Sequence, residues 1–206
     1  MENALKFLHV GCGKKSKQQT PFANTNWREI KLDINPDVKP DLIGSMTNMN
    51  QVEDECIDAI YSSHNIEHLY PHEVPQAIQE FKRILKPDGF ILITCPDLQS
   101  VCEFVAKDQL LEPLYSSPSG PIAPVDIIFG HRAALQRGDL YMAHRCGFTA
   151  KAIVNTLGAE GLNAVASRHK AKFDLWAIAS ISHETDWLID KAKIFFPQEL
   201  FHEKNE

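Results

Sequence analysis

The sequence predicts an α/β fold built on a mainly parallel sheet, and three observations carry it. An apolar run over residues 5–10 ends at Gly11-Cys12-Gly13, the pattern of a buried strand stopped by a glycine turn. Further short apolar runs recur at residues 27–32, 41–43, 57–62 and 90–95. Between the last two, Val74, Ala77, Ile78, Phe81, Ile84 and Leu85 repeat at helical spacing. Strands that alternate with connectors in this way predict crossover units and a parallel sheet.

Each element has its own justification. The strand over 27–32 is closed by Asp33, and the weak third strand over 41–43 by Gly44-Ser45. Two prolines in residues 35–40 exclude a full crossover helix there, so an irregular connector is expected. Lys86-Pro87-Asp88-Gly89 reads as a turn before the fifth strand, which Pro96 stops. Residues 98–111 read as a helix, and residues 116–124, rich in Pro, Ser and Gly, as a loop. Residues 131–145 are polar and rich in His and Arg. A long irregular stretch in a compact domain is characteristically functional, so residues 97–148 are expected to form a lid or substrate-binding insert. Thr149 reads as the N-cap of a helix over 149–157. Two closing strands over 162–167 and 173–180, a terminal helix over 185–196 and a frayed tail after Pro197 complete the chain.

A chain of 206 residues predicts one domain, residues 1–206, with a sizeable core. The formal net charge of -6 argues against nucleic acid as the partner, because phosphate neutralisation needs a basic face. The five cysteines form no CxxC pair and are odd in number, which disfavours a zinc ribbon or a disulfide framework and fits a reducing cytoplasm. No apolar stretch is long enough to span a membrane, and the start is too polar for a signal peptide. A small-molecule substrate is the expected partner, with a homodimer left open.

Gly11-Cys12-Gly13 followed by Asp33, 20 residues after Gly13, is the arrangement in which glycines let a ligand approach the backbone and an acid binds ribose hydroxyls. Alone, a GxG is equally a tight turn. Downstream, however, stand Ile57-Asp58-Ala59-Ile60-Tyr61-Ser62-Ser63-His64, then Ile66-Glu67-His68-Leu69, then Leu85-Lys86-Pro87-Asp88-Gly89. With these segments in order, residues 5–97 resemble the class I methyltransferases dependent on S-adenosylmethionine (SAM), specifically the type 11 group. The resemblance implies a Rossmann-like fold: a mainly parallel seven-stranded sheet with helices on both faces, here with a shortened first half and a lid-like insert.

The resemblance also implies roles. Gly11, Cys12 and Gly13 would pack their backbone on the ribose and methionine part of SAM. Asp33 would accept from the ribose hydroxyls, and Ile34 would lie on the adenine face. Ser45 and Met46 would reach the adenine edge, with Ser63 and His64 beside the methionine and the substrate. Three departures stand out. His9 occupies a position where the family often has an acid supporting the methionine ammonium, Ser45 one where it often has Asp, and Lys14-Lys15-Ser16-Lys17 replaces the third glycine. The lysines read as a solvated loop or as partners for the SAM carboxylate.

Methyl transfer to oxygen or nitrogen needs alignment and removal of a proton, for which histidine is suited. His64 is the first candidate base, the alternative being that it orients SAM or caps the next segment; His131 and His144 follow. His64, His68 and His72 are spaced by four, but Pro71 and Pro75 interrupt any helix that would stack them, so no metal is expected. The cations of the insert, Arg132, Arg137 and Arg145, suit an anionic acceptor or a solvated loop. The expected activity is SAM-dependent methyl transfer to an oxygen or nitrogen of a small, anionic molecule. Two rivals share the fold: a non-catalytic SAM-binding or interaction module, and an NAD-dependent reductase or epimerase.

Overall fold

A computed structural model describes residues 4–201. The five apolar runs become β1 (Lys6–Val10), β2 (Arg28–Asp33), β3 (Leu42–Ile43), β4 (Ile57–Ser63) and β5 (Leu85–Pro96). Helix α1 (Val74–Ile84) precedes β5. After it come α2 (Leu98–Val105), a hairpin of β6 (Tyr115–Ser117) and β7 (Gly120–Ile122), α3 (Pro124–Phe129) and α4 (Arg132–Gln136). The chain closes with α5 (Ala150–Ala159), β8 (Asn163–His169), β9 (Asp174–Ser180) and α6 (Thr185–Phe195). Seven strands form one sheet in the order β3-β2-β1-β4-β5-β9-β8. The first five in that order are parallel, and β9 runs antiparallel to both its neighbours.

Side-chain alternation along the strands sorts the core into two layers. Leu8, Val10, Ile60, Ile91 and Ile93 face α1 and α5. Phe7, Ala59, Tyr61 and Leu92 face α6. Helix α1 buries Val74, Ala77, Ile78, Phe81 and Ile84, the face its spacing predicts. Thr149 caps α5 as expected, its Oγ1 accepting from the Ala152 amide at 3.2 Å.

The first half is indeed shortened. The connectors from β1 to β2 and from β2 to β3 hold only 3-10 turns, Lys17–Gln19 and Pro36–Val38. Where a helix would cover the sheet, the buried Phe22 stacks on Phe7 with ring centroids 4.2 Å apart and meets Phe195 at 4.8 Å. On the other layer Met46, Met49 and Val52 fill the same need.

Four local expectations are corrected. Residues 86–89 are an irregularity inside β5 rather than a turn before it: Leu85 already pairs with Ile57, and Phe90 with Ala59. Gly89 permits this, because a Cβ there would stand 2.9 Å from the Asp58 carbonyl oxygen. Helix α2 stops at Val105, well before residue 111, and the chain leaves it through Asp108 at φ +61°. Residues 116–124 carry the β6–β7 hairpin instead of a loop, and α2, α3 and the hairpin share a small cluster of Val101, Ile122 and Ile127. Of the tail expected to fray, residues 198–201 form a 3-10 turn and the rest lies outside the described residues. Among the described residues no helix is long and apolar enough to cross a membrane.

Candidate functional site

The carboxyl ends of β1, β2 and β4 open into a cleft of about 300 Å³. Its floor is the glycine turn. Gly11 and Gly13 take φ +62° and +52°, and the Gly11 and Cys12 amides both donate to the Leu32 carbonyl, at 2.9 and 3.3 Å. A Cβ on Gly11 would sit 2.2 Å from Asn65 Nδ2. The Gly13 amide donates to Asp33 Oδ2 at 2.7 Å and the Asn35 amide to Oδ1 at 2.9 Å. Asp33 thereby ties the turn to the end of β2, and each of its oxygens keeps room for a second donor. Ile34, Ser45, Met46 and His64 also line the cleft, so most of the expected cofactor residues converge there.

Three of them do not. His9 is buried on the opposite layer, between Phe7 and Tyr61, because strand alternation turns it away from Val10. Its Nδ1 contacts Glu29 at 2.8 Å, and burial holds its pKa below the ordinary value despite that partner. Glu29 also accepts from the Lys17 amide at 3.0 Å, so this pair anchors the shortened connector. Cys12 is buried and does not line the cleft; burial, helped by Asp33, lifts its thiol to about 11. Ser63 instead accepts from Thr94 Oγ1 at 2.9 Å. Lys14 and Lys15 point to solvent, outside the cleft.

A second cavity of about 170 Å³ adjoins the first, sharing His64, His68 and Met142 with it. The insert supplies Tyr115, Asp126, His131 and His144 to its wall, and the β8–β9 end supplies Lys172 and Asp174. His64 stands between the cavities at φ +50°, its amide donating to the Thr94 carbonyl at 2.8 Å. Its ring lies between Asp174 (Nε2 to Oδ1, 3.2 Å) and Glu67 (Nδ1 to Oε1, 3.5 Å). Burial pushes its pKa down, but the Asp174 hydrogen bond and Glu67 outweigh that and raise it to about 10. The ring is 42% exposed to the cleft, where water screens the pairs, yet two carboxylates against one imidazole fix the direction. An imidazolium has no lone pair with which to take a proton, so these charges disfavour His64 as the general base. His144 is different. Its Nδ1 donates to the Ile127 carbonyl at 2.7 Å and burial lowers its pKa, which leaves Nε2 with a free lone pair.

The insert is fastened to the turn of residues 66–68. The Arg145 and Cys146 amides both donate to the Glu67 carbonyl, at 2.8 and 3.2 Å, and Arg145 Nη1 donates to the His68 carbonyl at 2.7 Å. Gly130 pairs with Ala143 as an isolated bridge; a Cβ at Gly130 would lie 2.0 Å from the Met142 carbonyl oxygen. Arg132 is spent on Asp126, at 2.7 and 2.9 Å, while Arg145 packs over Tyr70 and lines the cleft. The spaced trio does not assemble, since His72 is exposed and stacks on Tyr70. The fold brings His68 to Glu67 and His144 instead. Sequence reasoning missed Asn65, Glu67 and Asp174 as site residues. Glu67 lies within the recognised segment of residues 66–69 and Asn65 adjoins it, whereas nothing local marks Asp174.

A mainly parallel sheet with a glycine turn after its first strand, bound to an acid ending its second, is an arrangement that binds nucleosides at the strand ends. Residues 8–93, from β1 into β5, match the family model of a methyltransferase domain, the type 11 group. This sets aside the dinucleotide reductase. The fold is similar to that of the PH0226 protein of Pyrococcus horikoshii (14% identity, TM-score 0.57, covering 87% of this chain and 83% of that one). It is also similar to a SAM-dependent methyltransferase of Archaeoglobus fulgidus (15%, 0.55, 86% of each chain). A third neighbour is the 1,6-didemethyltoxoflavin N1-methyltransferase of Burkholderia thailandensis, seen with its acceptor and S-adenosylhomocysteine (13%, 0.55, 86% of this chain and 71% of that one). No curated protein matches the chain.

Proposed function

We propose that the chain methylates an oxygen or nitrogen of a small anionic molecule, with SAM in the larger cleft and the acceptor in the cavity beneath the insert. The observation that carries this reading is the junction of the two cavities at His64 and His68. The residues present fit SAM. A Cβ at Gly13 would meet nothing within 4 Å, so the turn leaves a cradle; Asp33 retains acceptor capacity for ribose hydroxyls; and Ile34 offers an apolar wall to adenine. Bound SAM supplies an electrophilic methyl group on a sulfonium.

The chain's own residues do the rest. Ser45 and Met46 border the adenine side, and His64 holds a positive charge between donor and acceptor. Lys172 and the His64 imidazolium favour an acceptor that carries a carboxylate or phosphate. The unprotonated groups that face it are His144 Nε2 and Glu67. Residues 97–148 act as a lid within a single domain and exclude water from the transfer. Five free thiols fit a cytoplasmic setting.

Isothermal titration with SAM tests this reading. The parent protein is expected to bind, and Asp33→Ala to weaken binding by about 1.5–3 kcal/mol, the range for hydrogen bonds to a charged group. An unchanged dissociation constant in Asp33→Ala overturns the placement of SAM, and no binding by the parent overturns the reading itself.

A further inference from the structure

We propose that Glu67, His68 and His144 form a binding site for a divalent transition-metal ion at the junction of the two cavities. Their ligand atoms already lie within 4.8 Å of one another. Metal–ligand bonds of about 2.0–2.2 Å place neighbouring ligand atoms roughly 3–4 Å apart, a span that small side-chain torsions close.

Two observations point to a ligand. Glu67 is 1% exposed, and among the described residues nothing donates a hydrogen bond to either of its carboxylate oxygens. A buried carboxylate without hydrogen bonds is costly, and such groups characteristically pair with a cation or coordinate a metal. Oε1 has one charged neighbour, the His64 imidazolium with Nδ1 at 3.5 Å, which forms no hydrogen bond to it, and among the described residues Oε2 has no partner. The other observation is the orientation of the imidazoles. His68 Nδ1 donates to the Ala143 carbonyl at 3.1 Å, and His144 Nδ1 to the Ile127 carbonyl at 2.7 Å. Both rings are thereby held in the tautomer that leaves Nε2 as the lone-pair atom, the outer-shell arrangement that orients metal-binding histidines. The clamp of residues 145–146 on the Glu67 carbonyl holds His144 over the turn that carries the other two.

Two imidazoles and one carboxylate suit zinc, iron(II) or manganese(II) better than magnesium or calcium, whose ligands are oxygens. Three protein ligands leave positions open towards the acceptor cavity. On the methyl-transfer reading, the ion binds an acceptor with two adjacent oxygens, such as a hydroxy acid, and lowers the pKa of its hydroxyl. The hydroxyl proton goes to solvent, the oxygen takes the methyl group as its bond to the sulfonium of SAM breaks, and the sulfur keeps the bonding pair in S-adenosylhomocysteine.

Metal binding by the full chain, stripped with chelator and free of SAM and acceptor, tests the site independently of methyl transfer. Cobalt(II) is followed by visible absorption and zinc by calorimetry. One saturable equivalent is expected. His144→Ala and His68→Ala should each weaken it at least tenfold, and Glu67→Gln likewise, while His72→Ala leaves it unchanged. Should His144→Ala melt at a lower temperature without metal, His144→Gln carries the comparison. No saturable equivalent in the parent, or parental affinity in a folded His144 variant, overturns the site. If the parent binds the metal but shows no binding in the SAM titration, only the methyl-transfer reading is overturned.

Discussion

Gly11 and Gly13 share a left-handed backbone, at φ +62° and +52°, but face different surroundings. A methyl group on Gly11 collides with Asn65, whereas one on Gly13 meets nothing within 4 Å. Gly11→Ala should therefore destabilise the protein by more than the roughly 1–2 kcal/mol of the left-handed conformation. Gly13→Ala should cost only about that amount, yet weaken SAM binding because the methyl group occupies the cradle. Urea unfolding and SAM titration on both variants check this; equal losses of stability would remove the contact with Asn65. At this scale the sequence was readable where a residue acts through its backbone or ends a strand, as Gly11, Gly13 and Asp33 do. His9 holds the family position in sequence, but the two-residue strand period turns it away from Val10 and into the opposite layer. Glu67 and His144 lie 77 residues apart, and no local pattern tells that the insert folds back over the turn.

Among the elements, the helix-free connector from β1 to β2 depends on one side chain. Phe22 replaces a helix with a ring that reaches Phe7, Trp27, Phe90 and Phe195. Phe22→Ala should cost about 3–5 kcal/mol, the range for deleting a buried ring with partial collapse of the site. A loss under about 1 kcal/mol in urea unfolding would show that the connector is held by Glu29 and its partners instead. The five strands and α1 were legible because burial on one or both faces prints its period on the sequence. The β6–β7 hairpin, α3 and α4 were not. Each strand or helix among them has six residues or fewer, too short for a periodic signal, and is fixed by contacts with distant parts.

At the scale of the whole molecule, the described residues form two large core layers and a smaller cluster that holds the insert. Regions with few buried apolar contacts open first, so the insert should exchange amide hydrogens sooner than the sheet. Acid sharpens the difference through Asp126. Burial raises its pKa, but Arg132 and the Ala123 and Arg132 amides prevail and lower it from 3.8 to about 2. A depressed carboxylate pKa contributes stability above its unfolded value, and that contribution is lost as pH falls from about 4 to 2. Hydrogen exchange over residues 123–137 should accelerate in that window while β1 and β4 stay protected, and Asp126→Asn should accelerate it already at neutral pH. Protection that is constant across the window would remove Asp126 as the fastening.

The shortened first half also bears on how the molecule meets its own copies. An exposed edge strand is a template for pairing with another chain. Here β3 spans only Leu42–Ile43 and offers little ladder to extend, even though Ile43 is exposed. The opposite edge, β8, is longer and carries Asn163, Ser167, Arg168 and His169 among its residues. With the β3 border only two residues long, the half of the sheet that lacks flanking helices offers a second copy little backbone to pair with.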